Sequence, residues 1–171
     1  MKKLNWGIIG LGTVAQKFSE AFTQTSNSIL LAIASNNSKK LESFKKQFFI
    51  EDKFAFKDYD DLINCKEVDI IYIALPNSLH FHWIKKCIEN NKNTLVEKPA
   101  TLNYEEAKSV KKILKNKSIF FGEAFMYRFH PQIDYVLELI NNDTIGSLGS
   151  MDSSFGENIL NSSVLYGSSR L

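Results

Sequence analysis

After its first three residues, the chain reads Leu4-Asn5-Trp6-Gly7-Ile8-Ile9-Gly10-Leu11-Gly12-Thr13-Val14-Ala15. An apolar run typical of a buried strand leads here into the pattern Gly-x-Gly-x-x-Ala, and a helical pattern follows. Gly10 allows a tight turn, Gly12 lets the backbone approach a pyrophosphate, and the small Ala15 lets the helix pack close to the strand. The free amides at the helix N-terminus favour a bound phosphate. A plain glycine-rich turn is the alternative, but the position between strand and helix favours a dinucleotide site.

The rest of the sequence alternates short apolar runs with longer stretches of helical period. This alternation predicts an α/β fold, a Rossmann-type doubly wound parallel sheet with helices on both faces. Strands are expected at 4–9, 29–35, 68–75, 94–97 and 118–122, with a weaker one at 53–56. Helices are expected at 13–25, 38–49, 77–89 with Asn77 or Ser78 as N-cap, 103–115 with Asn103 as N-cap, and from His130-Pro131 to 141.

The predicted Rossmann domain covers residues 1–122. Residues 123–171 are expected to hold a linker helix and only the beginning of a C-terminal α+β domain. Serine, asparagine and glycine crowd the sequence after Gly146, and only 151–155 resembles a strand. The organisation is therefore one globular domain and an incomplete second one.

Composition excludes several classes of partner. The formal net charge is only +2, and acidic residues separate the lysines, so we expect neither nucleic acid nor an anionic membrane surface as a ligand. No apolar stretch approaches the roughly 20 residues of a membrane span. Cys65 and Cys87 lie far apart without a metal-binding pattern, which predicts free thiols, no metal site and a cytoplasmic location.

The end of the second predicted strand bears on the choice between NAD and NADP. In NAD-specific domains an acidic residue about 20 residues after the glycines binds the ribose 2′-hydroxyl. This chain instead has Ser35, Asn36, Asn37 and Ser38 there, followed by Lys39. Because no carboxylate would repel a 2′-phosphate, we expect NADP, with NAD as the alternative. Lys39 could instead be a solvated residue at a helix start.

Two further strand ends carry candidate site residues. Leu75 and Pro76 end one strand, and Asn77 can offer polar groups to a ribose or nicotinamide. His80 follows one helical turn later, where it either approaches the cofactor or has a structural role.

Glu97-Lys98-Pro99 follows another apolar strand and projects a carboxylate and an amine into the same crevice. Lys98 is the candidate catalytic residue, because a lysine beside a positively charged nicotinamide can accept a proton from a substrate hydroxyl. Pro99 restricts the backbone conformation at Lys98. An exposed loop lysine without a catalytic role is the alternative.

Four motifs in order resemble those of the Gfo/Idh/MocA family of oxidoreductases: 6–12, 76–80, 97–99 and 123–131. The last motif, Glu-Ala-Phe-Met-Tyr-Arg-Phe-His-Pro, is most similar to members related to dihydrodiol dehydrogenase and the sugar dehydrogenases. The resemblance implies NAD(P)-dependent hydride transfer to or from a sugar, cyclic polyol or related secondary alcohol or ketone. It places Glu97 at the nicotinamide ribose and Tyr127, Arg128 and His130 near the cofactor or substrate. The expected cofactor contacts are Gly10, Leu11, Gly12, Thr13, Val14, Ser35, Asn36, Leu75, Pro76, Asn77, His80, Glu97, Lys98 and Arg128.

Family members continue into a large antiparallel sheet that covers the crevice and usually forms an oligomer interface. The sequence resembles about half of that pattern, so we expect a truncated member, a possible homo-oligomer, and little or no turnover from these 171 residues alone. A nucleotide-binding module without catalytic activity is the main alternative. A Rossmann domain for another adenine-containing ligand, such as S-adenosylmethionine, is disfavoured by Glu97-Lys98-Pro99.

Overall fold

Six parallel strands form one sheet in the computed structural model, which describes residues 3–154. The strands are β1 (Leu4–Ile9), β2 (Ser28–Ala34), β3 (Ala55–Phe56), β4 (Ile70–Ile73), β5 (Asn93–Val96) and β6 (Phe121–Glu123). Their order in the sheet is β3-β2-β1-β4-β5-β6. This order is that of a Rossmann fold, with the change of direction between β1 and β4. The predicted fold class is confirmed.

Six α-helices accompany the strands in the part of the chain that the structure describes. They are α1 (Thr13–Glu20), α2 (Ser38–Gln47), α3 (Tyr59–Asn64), α4 (Asn77–Glu89), α5 (Tyr104–Leu114) and α6 (Pro131–Asn141). Short 3₁₀ helices cover Ala21–Gln24, Asp52–Phe54 and Met126–Phe129. The first expected helix therefore continues toward Thr25 as a 3₁₀ turn instead of an α-helix.

The hydrophobic core lies on the central strands, which helices cover on both faces. All four residues of β4 are buried, and Ile8 and Ile9 on β1 and Ile33 on β2 have no exposed surface. Strands that are buried on both faces have continuous apolar sequences, and these apolar runs located the strands in the sequence. Their burial holds the strand ends in fixed positions around the crevice.

The structure confirms one of the two helix N-caps that were predicted from the sequence and contradicts the other. The Asn103 side chain accepts a hydrogen bond from the Glu106 amide, as expected of an N-cap. The expectation that Asn77 or Ser78 caps α4 is wrong, because α4 begins at Asn77 itself and the N-cap position belongs to Pro76. Pro76 has extended backbone angles and no side-chain acceptor, and Asn77 and Ser78 already lie in the first turn.

Among the six strands, β1 alone has the predicted bounds, and β2, β4 and β5 differ from expectation by one or two residues at each end. The last strand begins at Phe121 instead of Ser118, because the Lys117 amide still donates to the Leu114 carbonyl in the turn that ends α5. The weak strand at 53–56 shortens to Ala55–Phe56, since a 3₁₀ helix takes the residues before it. Residues 151–154 form no strand, and Phe155 lies outside the described residues.

The chain divides into two compact units, Met1–Ala124 and Phe125–Leu171. The sheet and α1 to α5 belong to the first unit. In the second, the described residues form the 3₁₀ helix Met126–Phe129 and α6. His130 caps α6 by accepting a hydrogen bond from the Gln132 amide, and Pro131 opens the helix as expected. Within residues 3–154, no helix has the length and apolar character needed to cross a membrane.

Gly10 is the residue where the fold depends most on the absence of a side chain. Its φ is +88°, and an added Cβ would lie 2.6 Å from the Ala74 carbonyl oxygen. We predict that Gly10→Ala lowers the free energy of unfolding by about 1–3 kcal/mol, because both the backbone conformation and the contact become strained. Urea denaturation followed by circular dichroism measures this loss.

Gly12→Ala is the matched control for this prediction. An added Cβ at Gly12 meets no atom within 4 Å, and the backbone there is extended. The loss of stability for Gly12→Ala is expected to stay below about 1 kcal/mol, the size of a helix-cap effect. Equal stabilities of the Gly10 and Gly12 variants would contradict the structural role of Gly10.

Candidate functional site

The candidate site is a crevice beyond the carboxyl ends of the strands, where the sheet order changes direction between β1 and β4. Ligands of open parallel sheets bind at such a switch point. Backbone hydrogen bonds tie the chain leaving each strand to its neighbour. The Gly10 amide donates to the Ala34 carbonyl over 3.1 Å, the Ala74 amide to the Ile9 carbonyl over 2.9 Å, and the Glu97 amide to the Ile73 carbonyl over 3.0 Å. The loops at the crevice therefore start from fixed points.

The glycine loop combines a buried turn with an open surface. Leu11 and Ala15 are buried against the sheet, and Gly10 packs on the end of β4. Thr13 and Val14 are exposed, and the space where a side chain at Gly12 would lie is open. A pyrophosphate can therefore reach the backbone at Gly12.

The amino end of α1 offers the amides that such a phosphate needs. Gly12 is its N-cap and supplies no side-chain hydrogen bond. In contrast, the side chains of Asn37, Asp58, Asn103 and His130 cap α2, α3, α5 and α6. The first-turn amides of α1 thus remain free to bind an anion, aided by the helix dipole. The residues of this loop fit the phosphates of a dinucleotide.

The end of β2 shows how the predicted 2′-phosphate residues are arranged. Ser35 is buried, and its hydroxyl accepts a hydrogen bond from the Asn37 amide over 3.2 Å. Asn37 in turn caps α2, while Asn36 and Lys39 are exposed. This segment carries polar and cationic groups and no carboxylate.

Tyr59 is a neighbour of this segment that the sequence analysis did not identify. Burial raises the pKa of the Tyr59 hydroxyl, and a hydrogen bond with the Asn36 backbone acts in the opposite direction. Tyr59 is the first residue of α3, and no motif marks it in the sequence. The hydrogen bond with Tyr59 therefore helps to hold the backbone of Asn36 in place.

At the end of β4, Pro76 and Asn77 are exposed and Leu75 is half-buried. His80 has no exposed surface. Its Nδ1 lies 2.8 Å from the Pro99 carbonyl oxygen, and its Nε2 lies 2.8 Å from the Leu75 carbonyl oxygen. Both ring nitrogens thus lie at hydrogen-bond distance from a backbone carbonyl oxygen, a neutral ring donates to one of the two, and the ring has no surface to offer a ligand. The structure favours the structural alternative for His80 over the expected contact between its ring and a cofactor.

Glu97 and Lys98 follow β5 and differ in their surroundings. The Tyr72 hydroxyl donates a hydrogen bond to Glu97 Oε1. Tyr72 is buried and its ring stacks on Phe18 at a centroid distance of 4.1 Å. Burial, and then the hydrogen bond to the Glu97 carboxylate, raise the pKa of Tyr72 far above its ordinary value, so the hydroxyl keeps its proton as donor. Tyr72 was not among the candidate site residues, because its strand pattern reads only as core.

Lys98 is exposed, and its ammonium group has no hydrogen-bonding or ion-pair partner among residues 3–154. The backbone around it is held firmly. The Ala100 amide donates to Glu123 Oε1 over 2.8 Å, and the Pro99 carbonyl oxygen lies 2.8 Å from His80 Nδ1. The amine thus stands free on a tethered loop at the crevice.

With this geometry described, the family can be assigned. The model of the oxidoreductase family with an NAD-binding Rossmann fold, Gfo/Idh/MocA, matches residues 4–125. The chain belongs to this family. The match covers the whole sheet, the glycine loop and Lys98, so the resemblance inferred from four motifs is confirmed.

Named Gfo/Idh/MocA relatives are similar over most of this chain. D-xylose 1-dehydrogenase (NADP(+)) 2 of Haloferax volcanii is 30% identical over 150 residues, which are 88% of this chain and 45% of the relative. Trans-1,2-dihydrobenzene-1,2-diol dehydrogenase of Mus musculus is 28% identical over 155 residues, 90% of this chain and 46% of the relative. The chain thus spans about half the length of these relatives.

Solved structures of the family agree with the fold. Scyllo-inositol dehydrogenase from Lactobacillus casei with bound NAD(H) and scyllo-inositol superposes with a TM-score of 0.78 at 26% identity, covering 85% of this chain and 43% of that one. A 3-ketoreductase from Actinomadura kijaniata in complex with NADP gives a TM-score of 0.75 at 26% identity, covering 85% of this chain and 46% of that one.

The last Gfo/Idh/MocA motif, 123–131, begins at the end of β6 and continues into the second unit. Arg128 and Tyr127 are exposed in the 3₁₀ helix Met126–Phe129, and the Arg128 amide donates to the Phe125 carbonyl over 3.1 Å. The His130 ring is used as the cap of α6. The expected cofactor contact of Arg128 stays a prediction.

Proposed function

We propose that the chain is the dinucleotide-binding part of an NAD(P)-dependent oxidoreductase that acts on a sugar, a cyclic polyol or a related secondary alcohol or ketone. The observation that carries the proposal is the open backbone at Gly12 before an uncapped helix, in the same crevice as the free amine of Lys98. The family membership and the activities in the names of the relatives support it.

We further propose NADP as the preferred cofactor, with NAD as the alternative. No carboxylate follows β2, where Asn36 and Lys39 are exposed. An exposed amide and an ammonium can bind a 2′-phosphate, whereas an acidic residue would repel it. One relative is named for NADP(+), and the inositol dehydrogenase was solved with NAD(H), so the family uses both.

In the proposed reaction, Lys98 moves the proton. When bound, the nicotinamide ring supplies the hydride acceptor for oxidation and the hydride donor for reduction. Lys98 Nζ, as the neutral amine, accepts the proton of the substrate hydroxyl during oxidation, and its ammonium returns that proton to the carbonyl oxygen during reduction. The Tyr72 hydroxyl holds Glu97 Oε1, which leaves Oε2 as an acceptor for a ribose hydroxyl.

The proposal includes a cytoplasmic location and a possible homo-oligomer. Cys65 and Cys87 are free thiols, as expected from the sequence. Two unpaired cysteines are typical of proteins from a reducing compartment. Family members use their antiparallel sheet for association, as the sequence resemblance implies.

We predict that the chain binds NADPH, and NADH roughly tenfold more weakly, because one charge-assisted contact to the 2′-phosphate contributes about that factor. Calorimetric titration of the purified protein measures both affinities. Gly12→Ala is expected to weaken NADPH binding by at least about tenfold, because its methyl group occupies the path of the pyrophosphate.

Thermal denaturation of wild type and Gly12→Ala is the control for this titration, since both must be folded. If the folded wild-type chain binds neither nucleotide, the proposed cofactor site is wrong. Tight binding of S-adenosylmethionine without NADPH binding would point to a different Rossmann ligand.

Lys98→Ala is predicted to separate catalysis from binding. The 171 residues alone are expected to turn over substrate slowly, so NADPH formation is measured at high protein concentration with a panel of sugars and cyclic polyols. The rate should fall at least about 100-fold relative to wild type, as is typical for the loss of a proton-transfer group. The affinity for NADPH should stay within roughly twofold, because the exposed ammonium has no hydrogen-bonding or ion-pair partner among residues 3–154 and its loss leaves the loop in place.

Lys39→Ala provides the contrasting variant, because it should weaken NADPH binding and leave the proton-transfer step intact. A wild-type chain that binds NADPH and shows no turnover of any substrate of the panel, even at high protein concentration, would favour the alternative, a nucleotide-binding module without catalytic activity. Equal rates for wild type and Lys98→Ala would exclude Lys98 as the proton-transfer residue.

A further inference from the structure

His80 connects two loops of the candidate site through its ring. It lies in the first turns of α4 and has no exposed surface. One ring nitrogen lies 2.8 Å from the Leu75 carbonyl oxygen, at the end of β4. The other lies 2.8 Å from the Pro99 carbonyl oxygen, in the loop after β5 and next to Lys98. The ring therefore joins the residues that follow two neighbouring strands.

Besides the backbone hydrogen bond from the Glu97 amide to the Ile73 carbonyl, three side-chain contacts hold the loop that carries Lys98. On one side, the Tyr72 hydroxyl holds the Glu97 carboxylate. On the other, Glu123 accepts the hydrogen bond of the Ala100 amide. Between them, the His80 ring holds the Pro99 carbonyl. Of these three side-chain contacts, only that of His80 reaches a backbone group of a residue adjacent to Lys98.

We infer that His80 is a positioning residue that holds the Pro99 carbonyl against the end of β4 and so fixes the backbone from which Lys98 reaches into the crevice. The Lys98 ammonium has no partner of its own within residues 3–154, so its position follows from its backbone. The importance of this for catalysis rests on the proposed function, in which Lys98 transfers the proton. Loss of the bridge would increase the range of positions of the amine and reduce the fraction aligned for transfer.

Hydrogen-bond chemistry makes the role of His80 specific. A carbonyl oxygen only accepts hydrogen bonds, so the ring has to be the donor. A neutral imidazole donates from one nitrogen only, so holding the Pro99 carbonyl requires the proton on Nδ1. Leucine has a similar size and no donor, whereas the side-chain amide of glutamine keeps two N–H groups. These two substitutions therefore separate packing from hydrogen bonding.

The test follows the signal of Lys98 without any cofactor, so it does not depend on nucleotide binding. The lysines of the full chain are reductively methylated with ¹³C, which keeps their charge, and the Lys98 signal is identified by its loss in Lys98→Arg. His80→Leu is expected to shift or broaden the Lys98 methyl signal. His80→Gln is expected to keep it close to its wild-type position, because an N–H donor remains.

Two signals serve as controls. Lys45 is held by Asp52 and Glu42, and its signal should stay unchanged in every His80 variant. His82→Leu, in the same helix but at an exposed position, should leave the Lys98 signal in place. An unchanged Lys98 signal in a folded His80→Leu protein would overturn the inference. Equal shifts in the leucine and glutamine variants would also overturn it and leave His80 as a packing residue.

If neither His80 variant folds, a measurement on the wild-type protein tests the inference instead. Long-range ¹H–¹⁵N spectra of the histidine rings should show a proton on His80 Nδ1 that exchanges slowly with water, because this buried donor is hydrogen-bonded to the Pro99 carbonyl. A His80 ring without a protected Nδ1–H proton would contradict the hold on the Pro99 carbonyl.

Discussion

The contact between Gly10 and the end of β4 is the constraint on which the rest of the site depends. At Gly10 the chain turns with a positive φ directly against the Ala74 carbonyl, and an added side chain would have no room. The Ala74 amide meanwhile donates to Ile9, so the two central strands end together. Because the chain turns so tightly, α1 begins at the crevice and directs its free amides into it. A wider turn would move the helix away from the switch point of the sheet.

Around this turn, the crevice combines loops that hydrogen bonds hold in place with groups that remain accessible to a ligand. Hydrogen bonds between neighbouring strand ends fix the start of each loop, and Tyr72, His80 and Glu123 fix the loop after β5. The open groups are the backbone at Gly12 and the amine of Lys98. A site that binds and orients ligands needs both properties, since flexible supporting loops would cost entropy when the ligand orders them.

Much of this arrangement could be predicted from the sequence, because it depends on local patterns. Apolar runs located the central strands, and the glycine pattern located the turn and the start of α1. Asn103 was recognised as a cap from its position alone. The misassigned cap of α4 and the late beginning of β6 are errors of one to three residues at element ends, where local signals compete.

Contacts between distant residues could not be predicted in this way. Tyr72 and Glu97 are 25 residues apart, and His80 and Pro99 are 19 residues apart. Nothing in the sequence near Tyr72 distinguishes it from a core residue, and the sequence near His80 left two roles open. Only the parallel pairing of β4 with β5 brings these residues together.

Amide NMR spectra most directly test the central conclusion, that the crevice around Gly12 binds a dinucleotide. The measurement is a series of ¹H–¹⁵N spectra of the labelled 171-residue chain during titration with NADPH. We expect the largest changes at Gly10–Val14, at Ser35–Asn37 and at Glu97–Lys98, which face the crevice from three strand ends. Changes confined to residues outside these segments, or no changes in a folded sample, would contradict that conclusion.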